Sequence, residues 1–171
     1  MNLFFPGKGN RITRNVGKFS HLDSKTFRRT VTKTGRNLLG NEEEEMYKCK
    51  DYVFRNTTLP KTFSWRYDGI TGPPRDQVAC GSCWAFATAE VLEAQFALRT
   101  NNFNEVSVNQ IMDCTWDANN NGCQGGEVAP ALRSLQINES DIFLEKEYPY
   151  LGVSGYCAKN PKHSMGRIVD C

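Results

Sequence analysis

Cys80 and Cys83 stand three residues apart, with Gly81-Ser82 between them and Trp84 directly after. From Cys83 onward Ala85, Ala89, Leu92 and Phe96 recur at spacings of four, three and four, which is one face of a helix. The pattern predicts a helix from Cys83 to Arg99, ended by Asn101-Asn102, with Glu90, Glu93 and Gln95 largely outside the apolar stripe. The second cysteine therefore begins a helix. A redox pair normally carries its Trp before the two cysteines and lies between strands, and neither holds here. A structural zinc site needs a second close pair, and Cys114 and Cys123 are too far apart to look like one. A cysteine nucleophile reacts as the thiolate. The open N–H groups of a helix N-terminus favour negative charge there by roughly 0.3–1 kcal/mol. That is too little to ionise the sulfur by itself. A nearby cation or hydrogen bonds to the sulfur would have to supply the rest.

The 171 residues suffice for one domain with an appended segment. Residues 1–58 carry a net +6 and the rest −4, a basic leader before an acidic body it can dock on, or else solvated surface charge. The basic residues are not interleaved with aromatics, so nucleic acid is not an expected partner. No apolar run reaches the roughly 18 residues of a membrane span. Met1-Asn2-Leu3-Phe4-Phe5-Pro6 does not read as a secretory signal, since Pro6 breaks the apolar run and no positive region precedes it. This fits a cytosolic chain or a longer precursor equally. Seven cysteines suggest metal or redox roles inside cells and disulfides outside them. Asn56-Thr57-Thr58 and Asn138-Glu139-Ser140 are glycosylation triplets, which fit export and also arise by chance.

Along the chain, Phe19, Leu22 and Phe27 can line a short helix, and Asn41–Thr58 reads as a linker. Gly72-Pro73-Pro74 makes residues 65–77 irregular, because neither proline can donate to a helix or strand. Ser107-Val108-Asn109-Gln110 has the form of a capping box, with Gln110 returning to Ser107, and predicts a short helix through Asp113. Asn119–Gly122 is a turn. Glu127–Leu135 is a third helix, with Pro130 in its first turn, and Gly166–Cys171 begins a strand.

The segment Gln77-Val78-Ala79-Cys80-Gly81-Ser82-Cys83-Trp84-Ala85-Phe86 resembles the nucleophile segment of papain-like cysteine proteases, the family of papain and the cathepsins. Leu59-Pro60-Lys61-Thr62-Phe63-Ser64-Trp65-Arg66 is similar to that family's mature N-terminus, with Ser64 in place of the usual aspartate. Tyr148-Pro149-Tyr150 and Gly155-Tyr156-Cys157 are similar to its loop before the second domain. Residues 18–28 resemble the end of its inhibitory propeptide, with His21 and Lys25-Thr26 where acids are usual. The resemblance implies an α+β papain-like fold, in which a helical domain and a β-barrel domain flank a cleft. Residues 1–58 are then a partial propeptide and linker, 59–165 the helical domain, and 166–171 the start of the β domain.

By the same resemblance, Cys83 is the nucleophile of an endopeptidase that works through an acyl-thioester. Gln77 and the Cys83 backbone N–H donate to the oxyanion; the loss of one such donor typically costs about 100–1,000-fold in rate. Taken alone, Gln77 reads as an ordinary exposed glutamine. Gly81, Gly125, Gly126, Glu127 and Val128 fall at substrate-binding positions. A backbone without Cβ can approach an extended peptide and pair with it, although a Gly-Gly pair by itself is more often a turn. Glu127 would favour basic side chains. Cys80 pairs with Cys123 and Cys114 with Cys157, each closing a loop of about 43 residues worth roughly 4 kcal/mol of chain entropy. Cys83 stays free, Cys49 has no counterpart, and Cys171 falls to the second domain. The implied partners are a peptide or protein substrate and the chain's own propeptide, with no metal, cofactor, nucleic acid or membrane. The implied compartment is lysosomal or extracellular.

The family's His and Asn lie about 130–150 residues after the nucleophile, past about position 210. His21 and His163 lack the family's Asn-His and Asn-Ser-Trp contexts and read as surface histidines. The chain is therefore expected to be an N-terminal fragment, inactive alone, with an exposed apolar face carrying Cys83 and Trp84. The alternative is a truncated or pseudo-protease that binds without cutting.

Overall fold

The computed structural model describes residues 60–158 and 162–170, together with Asp23, Thr26, Thr58 and the backbone of two short strands. Those strands, β1 (Asn2–Phe4) and β2 (Thr13–Asn15), pair antiparallel. Thr26 is helical, and its N–H and hydroxyl both bond to the Asp23 carboxylate, at 3.0 and 2.6 Å. The expected contacts of Phe19, Leu22 and Phe27, the linker, His21, Cys49 and Cys171 lie outside the described residues.

Three helices carry the body. Helix α1 spans Cys83–Thr100 and packs on α2 (Val108–Cys114) and α3 (Val128–Ile137). Its contact face is built from Ala85, Thr88, Ala89 and Leu92, all buried. Small side chains there let neighbouring helices approach closely, since interaxial distance follows the residues at the contact. Ile111, Met112, Leu135 and Ile142 fill the space between and are fully buried. Each such side chain gains roughly 1.5–3 kcal/mol from burial. The helix ends as its Asn101-Asn102 predicts: Asn101 turns left-handed at φ 53 and its N–H returns to Ala97. Pro130 sits in the first turn of α3, where no intrahelical N–H is needed.

Glu93 departs from the expected stripe. It is only 3% exposed, although it was placed outside the apolar face. Its carboxylate accepts the Val106 N–H and the Arg75 guanidinium, both at 2.8 Å, while Arg75 also donates to the Val106 carbonyl at 3.2 Å. Arg75 further lies 5.3 Å over the Phe86 ring. The pair thus ties the irregular segment before α1 to the start of α2.

The capping box is half as expected. Ser107 Oγ accepts the Gln110 N–H at 3.0 Å, but the Gln110 side chain does not return to Ser107. It donates to the Asp141 carbonyl and accepts the Phe143 N–H, at 2.6 and 2.8 Å. The Ser107 N–H goes to the Phe143 carbonyl, and the Glu145 carboxylate takes the Val108 N–H at the helix start. The reason is a strand that the sequence reading lacks. Strand β3 (Asp141–Phe143) runs beside α2, and these side chains serve it as a pairing edge. Its other edge pairs antiparallel with β4 (Ser164–Arg167). The expected strand therefore starts earlier, at Ser164, and ends at Arg167. A 3-10 turn at Trp65–Asp68, closed by left-handed Gly69, interrupts the irregular segment. Among the described residues no helix is long and apolar enough to cross a membrane.

Burial pushes the Glu93 carboxyl above its ordinary value, and the Val106 N–H and Arg75 pull it back. A carboxyl raised in the folded state stabilises most fully below the unfolded value of about 4.3 and loses that benefit as pH rises through the folded value. Arg75→Ala leaves the buried carboxylate without its cation. The expected cost is about 3 kcal/mol at neutral pH. The deficit against wild type shrinks on acidification, as Glu93 takes up a proton. Urea unfolding at a series of pH values measures both.

Candidate active site

Cys83 is the first residue of α1 and the only free cysteine among the described residues. It is half-buried. Its position is set by what holds the residues around it. Ser82 precedes the helix, and its carbonyl accepts the N–H groups of Ala85 and Phe86. Cys80 is bridged to Cys123, with 4.7 Å between Cα atoms. Beside the bridge, the Gly81 N–H donates to the Cys123 carbonyl at 3.0 Å, and the Trp84 indole N–H donates to the Gly122 carbonyl at 3.1 Å. The segment around Cys83 and the loop 120–126 are thus fastened covalently and by two hydrogen bonds.

Trp84 does not lie on the exposed apolar face expected of it: it is 3% exposed. The 120–126 loop covers the indole, and a Cβ on Gly126 would fall 2.7 Å from its ring atoms and 2.5 Å from Asn120 Oδ1. Gly125 holds φ 117 and ψ 172, a backbone region essentially closed to other residues. Both glycines are buried. Close packing and backbone conformation therefore require glycine here independently of any substrate. Asn120 completes the loop. It is buried, accepts the Glu127 N–H at 2.8 Å and donates to Thr115 at 3.1 Å. Glu127 and Val128 follow at the start of α3, both half-buried. Burial pushes the Glu127 carboxyl up.

Gln77 lies on the approach to the bridge. Its amide donates to the Cys80 carbonyl at 2.8 Å, and its own carbonyl accepts the Tyr150 hydroxyl at 2.8 Å. An amide nitrogen carries two hydrogens, so the bond to Cys80 does not exhaust its donors. His163, at the surface, pairs with Glu147 at 3.0 Å. No group of three metal-binding side chains occurs among the described residues.

The loop 148–157 backs the site. Cys114–Cys157 closes it onto α2. The buried Asp113 carboxylate accepts Gly155 N–H at 2.6 Å and the Tyr148 hydroxyl and Asn109 amide at 2.8 Å. Asn109 accepts the Leu151 N–H, Glu145 the Tyr150 N–H, and Ser154 Oγ the Cys123 N–H. Sequence reasoning passed over Tyr150 and Asn120 as site residues. Tyr150 stood in a segment matched only as a loop, and nothing local marked Asn120 beyond a turn.

The family described as papain family cysteine protease matches residues 59–170. The oryzain gamma chain of Oryza sativa subsp. japonica is 39% identical over 112 residues, covering 66% of this chain and 31% of that protein. Cysteine proteinase 2 of Zea mays is 33% identical over 167 residues, covering 95% and 44%. Digestive procathepsin L 3 of Tenebrio molitor larval midgut superposes with a TM-score of 0.77 at 24% identity, covering 91% of this chain and 47% of that one. The chain spans less than half the length of each of these proteins.

Gly126→Ala forces its new methyl into Trp84 and Asn120. Overpacking of this kind costs roughly 1–3 kcal/mol, and a lowered urea midpoint with an unchanged slope is the expected result. Burial, together with the Asp113 carboxylate, pushes the Tyr148 phenol up to about 12. Its stabilisation is present below the unfolded value of about 10 and is lost as pH rises through the folded one. The stability advantage of wild type over Tyr148→Phe should therefore fall across about pH 10–12, measured by denaturant titration.

Proposed function

The chain belongs to the papain family of cysteine proteases, and on that premise we propose that Cys83 is the nucleophile of a cysteine-type endopeptidase. One observation carries the reading. A single described free thiol opens a long buried-face helix, and the adjacent bridge fastens that helix to the Gly125-Gly126 loop. The sulfur attacks the peptide carbonyl carbon and the carbonyl oxygen takes the electron pair. Gln77 and the Cys83 N–H donate to that oxygen, where preorganised donors matter most. The C–N bond then breaks, the amine departs with a proton, and water cleaves the acyl-thioester to free the sulfur. Gly81, Gly125, Gly126, Glu127 and Val128 form the substrate side, and Glu127 favours a basic side chain in the substrate. The leader acts as the chain's own propeptide, and the compartment is lysosomal or extracellular.

Proton transfer needs an imidazole. His163 pairs with Glu147 at the surface, which favours a second reading for the 171-residue polypeptide by itself: it binds without cutting. On the endopeptidase reading the base comes from a second domain. The polypeptide alone is expected to show no turnover of a fluorogenic dipeptide substrate, while an epoxide inhibitor labels Cys83 and not a Cys83→Ala variant. Turnover blocked by that inhibitor would overturn the need for an outside base. Transcript sequence across the Cys171 codon separates the two readings. Continuation into Asn-His and Asn-Ser-Trp segments supports the endopeptidase, and a stop codon supports the binding module.

A further inference from the structure

The hydroxyl of Tyr150 stands between the two halves of the nucleophile segment. It donates to the Gln77 carbonyl at 2.8 Å and receives the Ser82 hydroxyl at 2.6 Å. Ser82 is the residue from which the Cys83 helix starts. One phenol therefore links the Gln77 backbone to the helix N-terminus. The phenol is itself held in place. Its ring meets Phe86 edge-on with centroids 4.9 Å apart, and its backbone N–H bonds to Glu145 at 2.7 Å.

A second feature lies one residue further on. Val78 has φ 49, a left-handed conformation that is a genuine outlier for a β-branched side chain. Such strain persists only where surroundings over-determine it. Here the Val78 N–H bonds to Asp76 Oδ1 at 2.9 Å, and Val78 Cγ2 occupies the space a Cβ on Gly152 would need, 2.5 Å from it. Tyr150 and Gly152 thus grip the chain at Gln77 and at Val78. The grip ends in a rigid loop, since Leu151 N–H and Gly155 N–H are bound by buried Asn109 and Asp113.

We propose that Tyr150 is a positioning residue for the reaction: by fixing the Gln77 backbone against the start of the Cys83 helix, it aims the Gln77 amide at the oxygen that becomes the oxyanion. The proposal rests on the endopeptidase reading and goes beyond it by assigning what holds the donor. It makes the phenol hydroxyl matter for oxyanion binding more than for the reactivity of the sulfur.

A peptide aldehyde tests this on the chain itself. The Cys83 sulfur bonds the aldehyde carbon, the C=O π bond opens, and the thiol proton ends on the oxygen, so nothing leaves and no electrons are exchanged. Iodoacetamide alkylates the same sulfur without creating that oxygen. Aldehyde affinity is read as protection of the Cys83 peptide from iodoacetamide by mass spectrometry. Circular dichroism checks folding. Tyr150→Phe keeps the ring and should weaken aldehyde binding about three- to tenfold, the range of one hydrogen bond, and by more than it changes the iodoacetamide rate. Gln77→Ala should weaken it at least as much, and the double variant no more than Gln77→Ala alone. Loss in Gln77→Ala without loss in Tyr150→Phe overturns the positioning role and leaves the endopeptidase reading standing. Fully additive losses also overturn it. No loss in Gln77→Ala removes the oxyanion assignment and this inference with it. If Tyr150→Phe does not fold, Ser82→Ala decides. It should give a smaller loss that vanishes in the Gln77→Ala background, and no loss counts against the proposal.

Discussion

The bridge between Cys80 and Cys123, with the two hydrogen bonds beside it, is the constraint on which the site depends. It brings a helix N-terminus and a glycine loop together across 43 residues of chain. The entropy of closing such a loop is large, roughly 4 kcal/mol in the chain-entropy model, so noncovalent contacts alone would hold it less firmly. The bonds from Gly81 N–H and Trp84 N–H then fix the loop's orientation. The indole lies under Gly126, and this is why the loop cannot move without disturbing the core that α1 shares with α2 and α3.

Around that junction the protein uses buried polar side chains as scaffolding. Asn109 and Asp113 project from α2 and bind the backbone of loop 148–157. Gln110, on the same helix, binds β3. Glu93 on α1 binds Val106. Each replaces a backbone partner that irregular chain would otherwise lack, and among the described residues no buried side-chain N or O is left unpaired. The three helices can therefore carry long loops near Cys83 and still hold them in one conformation. The two half-buried tyrosines, Tyr148 and Tyr150, sit where those loops meet, and burial raises both phenols.

Much of this was legible in the residues. The period of Ala85, Ala89 and Leu92 marked α1, Asn101 marked its end, Ser107 opened α2, and Pro130 was compatible only with the first turn of α3. These are local rules of helix geometry and capping. The disulfide pairs Cys80–Cys123 and Cys114–Cys157 agree with what the family resemblance implied, since spacing alone left the pairing open. The misreadings share one cause. Glu93 looked like a solvent residue because its partners, Arg75 and Val106, lie 18 and 13 residues away. Gln110 looked like half of a capping box because strand β3 was not known to run beside it. Trp84 looked exposed because a second domain was taken as its cover, whereas the loop that covers it comes 38 residues later in this chain.

The sequence by itself determined the helices and the turn residues that bound them, because each depends on neighbours within a few positions. Only the tertiary structure decided which polar side chains are buried, why Gly125 and Gly126 must be glycine, and that a tyrosine 73 residues from Gln77 grips its backbone. Those outcomes depend on distances between segments remote in the chain. A hydrogen bond or a van der Waals contact acts through a few ångströms of space and carries no mark of itself in the order of the residues.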